Sequence, residues 1–134
     1  FLLESVQGGE TRGRYSIIAL QPDLIWRCFK ERAETSAGSM KDADFTPCNQ
    51  PSLASLKQLI RQSRIEIPAP LPPMAAGLIG FMGYDMVKQI ERLPDGNPDP
   101  IAIPDGCFMR PQITVVHDTV DGFIYVITPV WTYT

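Results

Sequence analysis

The polar pair best suited to hold a small ligand stands near the start of the chain, where Glu4 and Ser5 follow Phe1-Leu2-Leu3. A carboxylate accepts hydrogen bonds from an ammonium group, and a hydroxyl donates to a carboxylate or accepts from an amine. The same two residues also suit an ordinary strand end in which the serine starts a turn. Chemistry alone favours that plainer interpretation.

A glycine-rich stretch follows, with Gly8-Gly9 and then Gly13-Arg14-Tyr15-Ser16. A glycine loop beside an arginine is one way to bind phosphate. The P-loop spacing ends in Gly-Lys-Ser or Gly-Lys-Thr and opens a helix, whereas Arg14 and Tyr15 open a strand-like run. The sequence therefore predicts a turn between two strands here.

Three further polar groups are better explained by structure than by catalysis. Asp85 follows Gly83-Tyr84 at a strand-to-helix junction, where an acidic side chain suits a helix start. His117-Asp118 contains a potential general base, but no serine or cysteine nucleophile stands beside it in sequence. We expect His117 to be partly exposed, and Arg110 to mark a strand entrance rather than an anion site. No catalytic constellation is predicted.

Cysteine usage fits a reduced, cytoplasmic protein. Cys28, Cys48 and Cys107 are odd in number and widely spaced, which differs from the dense sets of disulfide frameworks. No CxxC pair occurs, and His117 is the only histidine, so a structural zinc site, which needs about four Cys or His ligands, is disfavoured. We predict neither a metal site nor a bound cofactor within these residues.

Composition points to one globular domain without affinity for nucleic acid or membrane. The chain has 134 residues, of which 44% are hydrophobic, and this is enough for a core. Its net charge of -3 argues against nucleic acid, which requires a basic surface. The longest apolar stretch, residues 74–82, is far shorter than the ~18 residues that span a bilayer.

Residue patterning predicts mostly antiparallel strands with two helices packed on them, which is an α+β fold. Strands are predicted over residues 1–3, 15–20, 24–29, 77–81, 113–117 and 123–128. Helices are predicted over residues 53–65, with Ser52 as the cap, and over residues 86–92. Pro22-Asp23 and Val120-Asp121-Gly122 are expected to be turns, and the prolines of 68–73 a linker. Trp26 and Trp131 are expected in the core or an interface. A Rossmann fold is excluded because no GxGxxG follows a strand.

Both ends of the chain favour a fragment of a longer protein. The sequence begins at Phe1 inside an apolar run and ends at Val130-Trp131-Thr132-Tyr133-Thr134. Domain ends are usually polar and frayed, so a boundary imposed on a longer chain is the expected explanation. Residues 1–134 are accordingly interpreted as one domain whose companion domain is absent.

Three blocks of sequence carry a resemblance to a known family. The first is Leu2-Leu3-Glu4-Ser5 followed after a gap by Gly13-Arg14-Tyr15-Ser16. The second is Ala76-Gly77-Leu78-Ile79-Gly80-Phe81-Met82-Gly83-Tyr84-Asp85 with Ile90-Glu91-Arg92-Leu93-Pro94, and the third is Pro104-Asp105-Gly106-Cys107-Phe108-Met109-Arg110-Pro111. Together they resemble the amino-terminal domain of component I of anthranilate synthase, in the chorismate-utilising family, over nearly the whole chain.

The resemblance implies a function for the complete protein and a narrower one for this part. The family converts chorismate and ammonia to anthranilate and pyruvate in tryptophan biosynthesis, with Mg²⁺ and a glutamine amidotransferase partner. Its catalytic residues lie in a carboxy-terminal domain, and none of those motifs occurs here, so these residues alone are predicted to be inactive. The amino-terminal domain carries half of a feedback site for L-tryptophan. Carried over to this sequence, the site residues are Leu3, Glu4, Ser5, Arg14, Tyr15 and Ser16.

Two alternatives stay open from the sequence. The related aminodeoxychorismate synthase of folate synthesis shares the architecture, but its opening more often has Asp before Ser, so Glu4 favours the anthranilate branch, as does Tyr84-Asp85-Met86-Val87. The second alternative is a standalone binding module without an enzyme attached, against which the ends of the chain argue.

Overall fold

The computed structural model describes residues 1–6 and 12–131. In this part of the chain one sheet contains β1 (Leu2–Leu3), β2 (Tyr15–Phe29), β3 (Arg32–Ser36), β4 (Thr46–Pro51), β5 (Ile79–Met82), β6 (Gly106–Asp118) and β7 (Phe123–Ile127). One α-helix, α1 (Ser52–Gln62), and two 3₁₀ helices, Asp42–Asp44 and Tyr84–Gln89, accompany it. All pairings among these strands are antiparallel. The predicted α+β class is confirmed.

Two long strands, β2 and β6, form the centre of the sheet. They pair from Tyr15–Asp118 at one end to Cys28–Gly106 at the other. At the Cys28–Gly106 end, which we call the lower end, β3 and then β4 extend the sheet beyond β2, and β5 pairs with β6. At the Tyr15–Asp118 end, which we call the upper end, β1 pairs with β2 and β7 pairs with β6. The opening residues of the chain and strand β7 therefore lie on opposite sides of the central pair, β1 beside β2 and β7 beside β6.

The core lies at the lower end, between the sheet and α1. Leu53, Leu56 and Leu59 recur at three-residue spacing, which places them on one side of the helix, and Leu56 and Leu59 are buried. They pack around Trp26, whose side chain is fully buried and whose Nε1 donates to Ser55 Oγ at 2.8 Å. The expectation of a core position for Trp26 is confirmed, whereas Trp131 is half-buried.

The turn predicted at Pro22-Asp23 is wrong, because β2 runs straight through it. Pro22 pairs with Pro111 and Leu24 with Arg110, so Asp23 is an extra residue in a β-bulge. Proline is tolerated beside a β-bulge, where the regular hydrogen-bond ladder is interrupted. The Asp23 carboxylate binds Arg110 with two contacts of 2.8 Å. That ion pair holds the bulge in place.

The helix predictions are correct in place but not in extent or type. Helix α1 ends at Gln62, three residues early, and the Ser63 amide donates to the Leu59 carbonyl. Ser52 is the first helical residue rather than the cap, and its hydroxyl donates to the Lys30 carbonyl at 2.7 Å. The helix predicted over 86–92 is instead the 3₁₀ helix Tyr84–Gln89, which begins two residues sooner.

Strand predictions differ mainly at their ends. The strands near residues 1–3, 113–117 and 123–128 are confirmed, and Val120-Asp121-Gly122 lies in the turn between β6 and β7. The strand predicted over 77–81 begins only at Ile79, because Gly77 has a φ of 137° outside the extended region. Strand β4 was missed, since Pro47 and Pro51 read as loop residues; both lie on an edge strand, where proline is allowed.

The upper half of the sheet leaves one apolar face uncovered by the described residues. Strand pairing aligns Leu2, Ile18, Val115 and Val126 across it, and side chains of directly paired residues share a face. Val126 is 71% exposed and Leu2 62% exposed. We call this surface the open face; its members are Leu2, Ile18, Leu20, Ile113, Val115, Ile124 and Val126.

The described helices are too short or too polar to cross a membrane. Gly8-Gly9, which belong to the predicted turn before β2, lie outside the described residues. So do the last three residues of the chain, which entered the interpretation of its end.

Candidate functional site

Ser5 is joined to the first two residues of β2 by two hydrogen bonds. Its hydroxyl donates to the Tyr15 carbonyl at 2.5 Å, and its backbone N–H donates to Ser16 Oγ at 3.2 Å. The short pairing of Leu2 with Ile18 and Leu3 with Ile17 brings the two segments together. The structure thus brings Ser5, Tyr15 and Ser16, which the sequence places about ten residues apart, into direct contact.

These two contacts determine which hydrogen-bonding capacity remains for a ligand. The single proton of the Ser5 hydroxyl is used, so this group is left to accept. Ser16 accepts from Ser5, and its own O–H has no acceptor among the described residues. The pair therefore offers one acceptor and one donor side by side.

Glu4 stands next to this pair with an exposed side chain. Its carboxylate forms no hydrogen bond or ion pair with the residues that the structure describes. Leu3 precedes it in β1 and is 46% exposed. The acidic group of the candidate site is therefore available for a cation.

Arg14 makes a different set of contacts from the other candidate residues. Its guanidinium binds Asp118 through Nε–Oδ1 at 2.9 Å and Nη2–Oδ2 at 2.7 Å, and Nη2 also reaches Asp121 Oδ2 at 2.7 Å. It lies over the Tyr15 ring at 5.0 Å. Hydrogen bonding from Arg14 is the main cause that lowers the pKa of Asp118 to about 2, while desolvation opposes the shift. The pKa of Arg14 is correspondingly raised.

The two sides of the sheet separate these groups. Ser16 pairs with His117 and shares the open face with Ile18, two residues further on. Tyr15 pairs with Asp118 on the other side, where Asp118 and Val116 are buried. Ser16 therefore borders the apolar open face, and the Arg14–Asp118 pair lies on the reverse side.

The remaining polar candidates have structural surroundings. His117 is exposed, as expected. Asp85 lies in the first turn of its 3₁₀ helix and pairs with Lys88 at 3.2 Å. Arg110 is buried beside Asp23 instead of standing at a strand entrance, and it also lies 5.0 Å from the Trp131 ring. Sequence reasoning missed both Asp118–Arg14 and Asp23–Arg110, because the partners are 104 and 87 residues apart.

The cysteines are free thiols. Burial raises the pKa of Cys28 to about 11 and also raises that of Cys107, so both remain protonated at neutral pH. Within residues 1–6 and 12–131, no three His, Cys, Asp or Glu side chains are arranged to hold a metal ion. The Mg²⁺ implied by the resemblance therefore finds no ligand set in that part of the chain.

Two cavities in the described residues lie away from the six candidate residues. One, of about 340 Å³, is largely apolar and lies between the end of α1 and residues 76–78. The other, of about 730 Å³, borders β3 and β4. Neither is lined by any residue from 3–5 or 14–16.

The fold and the site together define an α+β domain with one antiparallel sheet, a helix on its core, and a polar cluster beside an open apolar face. No family model matches the chain.

Anthranilate synthase component 1 of Cereibacter sphaeroides is 48% identical over 132 residues, covering 98% of this chain and 26% of that protein. The protein of the same name from Pseudomonas aeruginosa is 36% identical over 129 residues, covering 95% and 26%. The crystal structure of anthranilate synthase component I from Streptococcus pneumoniae superimposes with a TM-score of 0.70 at 25% identity, over 98% of this chain and 26% of that one.

The chain is thus homologous, along nearly its whole length, to one part of anthranilate synthase component I. It spans about a quarter of the length of the curated relatives it matches. The resemblance drawn from the sequence and the fold expected from it are both confirmed.

Proposed function

We propose that this chain is the amino-terminal, regulatory part of a cytoplasmic anthranilate synthase component I and supplies one half of a site for L-tryptophan. The observation that carries the proposal is the cluster at the β1–β2 junction. Ser5 is held against Tyr15 and Ser16, while the Glu4 carboxylate beside it has no partner among the described residues. The relationship to component I supports the choice of ligand.

The remaining hydrogen-bonding capacity of the cluster matches the two charges of an amino acid. Glu4 and the free lone pairs of Ser5 accept from the ligand's ammonium group. The unused O–H of Ser16 donates to its carboxylate. An indole ring can then lie against the apolar open face. Ile18 is the member of that face two residues beyond Ser16 on β2. One ammonium, one carboxylate and one apolar ring are thereby accommodated by different groups.

The complete protein that this proposal implies converts chorismate and ammonia to anthranilate and pyruvate. The catalytic domain, with its Mg²⁺, is its carboxy-terminal part, and a glutamine amidotransferase subunit supplies ammonia. The open face supports a companion domain as neighbour, because large exposed apolar patches on a sheet mark surfaces that pack against something. These residues alone are proposed to lack catalytic activity.

The proposal is tested in full-length component I by measuring tryptophan inhibition and chorismate turnover separately for Glu4→Ala and Ser5→Ala. Removing a hydrogen bond to a charged group costs about 1.5–3 kcal/mol, which is about a ten- to hundredfold rise in the inhibition constant. Turnover without tryptophan should be retained.

Glu66→Ala is a matched control, because Glu66 is an exposed carboxylate outside the β1–β2 junction. It should leave inhibition at the wild-type level. Unchanged inhibition in Glu4→Ala and Ser5→Ala, together with a collapse in turnover, would assign these residues to folding or to the active site instead.

A further inference from the structure

The β6–β7 turn is tied to the residue that precedes β2 by a dense set of contacts. Asp118 is only 2% exposed and accepts both Nε and Nη2 of Arg14, at 2.9 and 2.7 Å. The same carboxylate accepts the backbone N–H groups of Val120 and Asp121, at 3.0 and 3.3 Å. One buried side chain therefore holds both the turn and the arginine.

Main-chain contacts reinforce this connection. The Arg14 carbonyl accepts the backbone N–H of Thr119 at 3.0 Å and the Thr119 hydroxyl at 2.9 Å. Both the side chain and the backbone of Arg14 are thus bound to the β6–β7 hairpin. The start of β2 has little freedom to move relative to that hairpin.

The next two residues after Arg14 are the ones that hold Ser5. The Tyr15 carbonyl and Ser16 Oγ accept the two hydrogen bonds of Ser5. A continuous series of contacts therefore leads from Asp118 through Arg14 to the candidate ligand residues. A shift of Arg14 would be transmitted directly to Ser5.

Arg14 is poorly placed to bind an anionic ligand itself. Of its five N–H donors, those on Nε and Nη2 face the carboxylates of Asp118 and Asp121. A ligand carboxylate approaching this guanidinium would also meet the negative charge of both aspartates. The bidentate geometry is typical of a structural arginine–carboxylate pair.

We propose that Asp118, acting through Arg14, is a positioning residue of the tryptophan site, and that Arg14 does not touch the ligand. This inference rests on the proposed function. It assigns a regulatory consequence to an ion pair on the reverse side of the sheet from Ser16. Affinity for the ligand then depends on the geometry of the β6–β7 turn.

The test is a double-mutant cycle in full-length component I with Asp118→Asn, Arg14→Lys and the combined variant. The readout is the ratio of the tryptophan inhibition constant to the KM for chorismate. A general loss of stability lowers the amount of active enzyme but leaves this ratio unchanged. Each single variant is expected to raise this ratio about tenfold. The combined variant should show no more than the larger single effect, because residues acting as one unit are not additive.

A ligand role for Arg14 gives the opposite pattern and would overturn the inference. Asp118→Asn would then free the guanidinium and leave the ratio unchanged or lower, while Arg14→Lys would raise it. Should Asp118→Asn fold poorly, Asp121→Asn removes one contact from an exposed partner and should raise the ratio to a smaller extent; an unchanged ratio there counts against the inference.

Ser5→Ala separates this inference from the proposed function. If Ser5→Ala raises the ratio and the Arg14 and Asp118 variants do not, only the positioning role is wrong. If Ser5→Ala also has no effect, the tryptophan site itself is wrongly placed, and the positioning role is overturned with it.

Discussion

Arg14 illustrates what individual side chains add to a sequence motif. The Gly-Arg-Tyr-Ser run nominates Arg14, Tyr15 and Ser16 together, but each contributes a different atom. Tyr15 offers its carbonyl and Ser16 its hydroxyl to Ser5, whereas the Arg14 guanidinium is bound to Asp118 and Asp121. A motif therefore identifies a neighbourhood, and the distribution of donors and acceptors within it defines the roles.

Asp118 should make the stability of the fold sensitive to acid. Its pKa is lowered to about 2 by Arg14, whereas the pKa of an aspartate in an unfolded chain is ~3.9. A lowered folded-state pKa contributes stability above about pH 4 that is lost as the pH falls towards about 2. Asp118→Asn should lower the urea unfolding midpoint at pH 6 and reduce its decline between about pH 4 and 2. Glu91→Gln, at an exposed carboxylate, is the control; a decline as steep in Asp118→Asn as in that control would contradict the prediction.

At the scale of elements, the sequence predicted the class of fold and the place of most strands, because alternating apolar residues and glycine turns are local signals. The β6–β7 hairpin, with its turn at Val120-Asp121-Gly122, is one such success. The sequence did not predict the continuous strand β2. Nothing near Pro22 reveals that Asp23 will bind Arg110, which is 87 residues further along the chain. The candidate site was predicted only through a family resemblance, as the contact of Ser5 with Ser16 depends on the β1–β2 pairing.

Gly80 provides a test of the β5–β6 pairing. A Cβ at this position would lie 2.0 Å from the Cys107 carbonyl oxygen, so the two strands could not keep their spacing. Gly80→Ala should therefore destabilise the fold by about 1–3 kcal/mol or more, as overpacking does. Gly96→Ala is the matched control, because its Cβ would meet nothing within 4 Å. Equal unfolding midpoints in urea for the two variants would show that the pairing of Gly80 with Phe108 is incorrect.

In residues 1–6 and 12–131, the molecule has one well-covered core and one open face. Helix α1 packs on Trp26 at the lower end, while Ile18, Ile124 and Val126 are exposed at the upper end. Strand β7 also forms an edge of the sheet in the described part of the chain. Both features favour association with further protein surface.

We expect the 134-residue chain on its own to self-associate as its concentration rises, which sedimentation velocity measures. Val126→Lys should shift the distribution towards monomer, because a charge on an exposed edge strand opposes pairing. Gln58→Lys, on the exposed side of α1, should have no such effect. A wild-type chain that stays monomeric over the whole concentration range would show that the open face does not drive association.

The most direct test of a tryptophan site at Glu4 compares two ligands in full-length component I. L-tryptophan carries the ammonium group assigned to Glu4, and indole-3-propionate lacks it. Calorimetry on the wild-type protein should show about ten- to a hundredfold tighter binding of tryptophan, the effect of about 1.5–3 kcal/mol from a charged hydrogen bond. In Glu4→Ala this preference should shrink markedly, because the ammonium group then loses its charged acceptor and keeps only the Ser5 hydroxyl. A preference for tryptophan as strong in Glu4→Ala as in the wild type would show that the ammonium group is bound elsewhere.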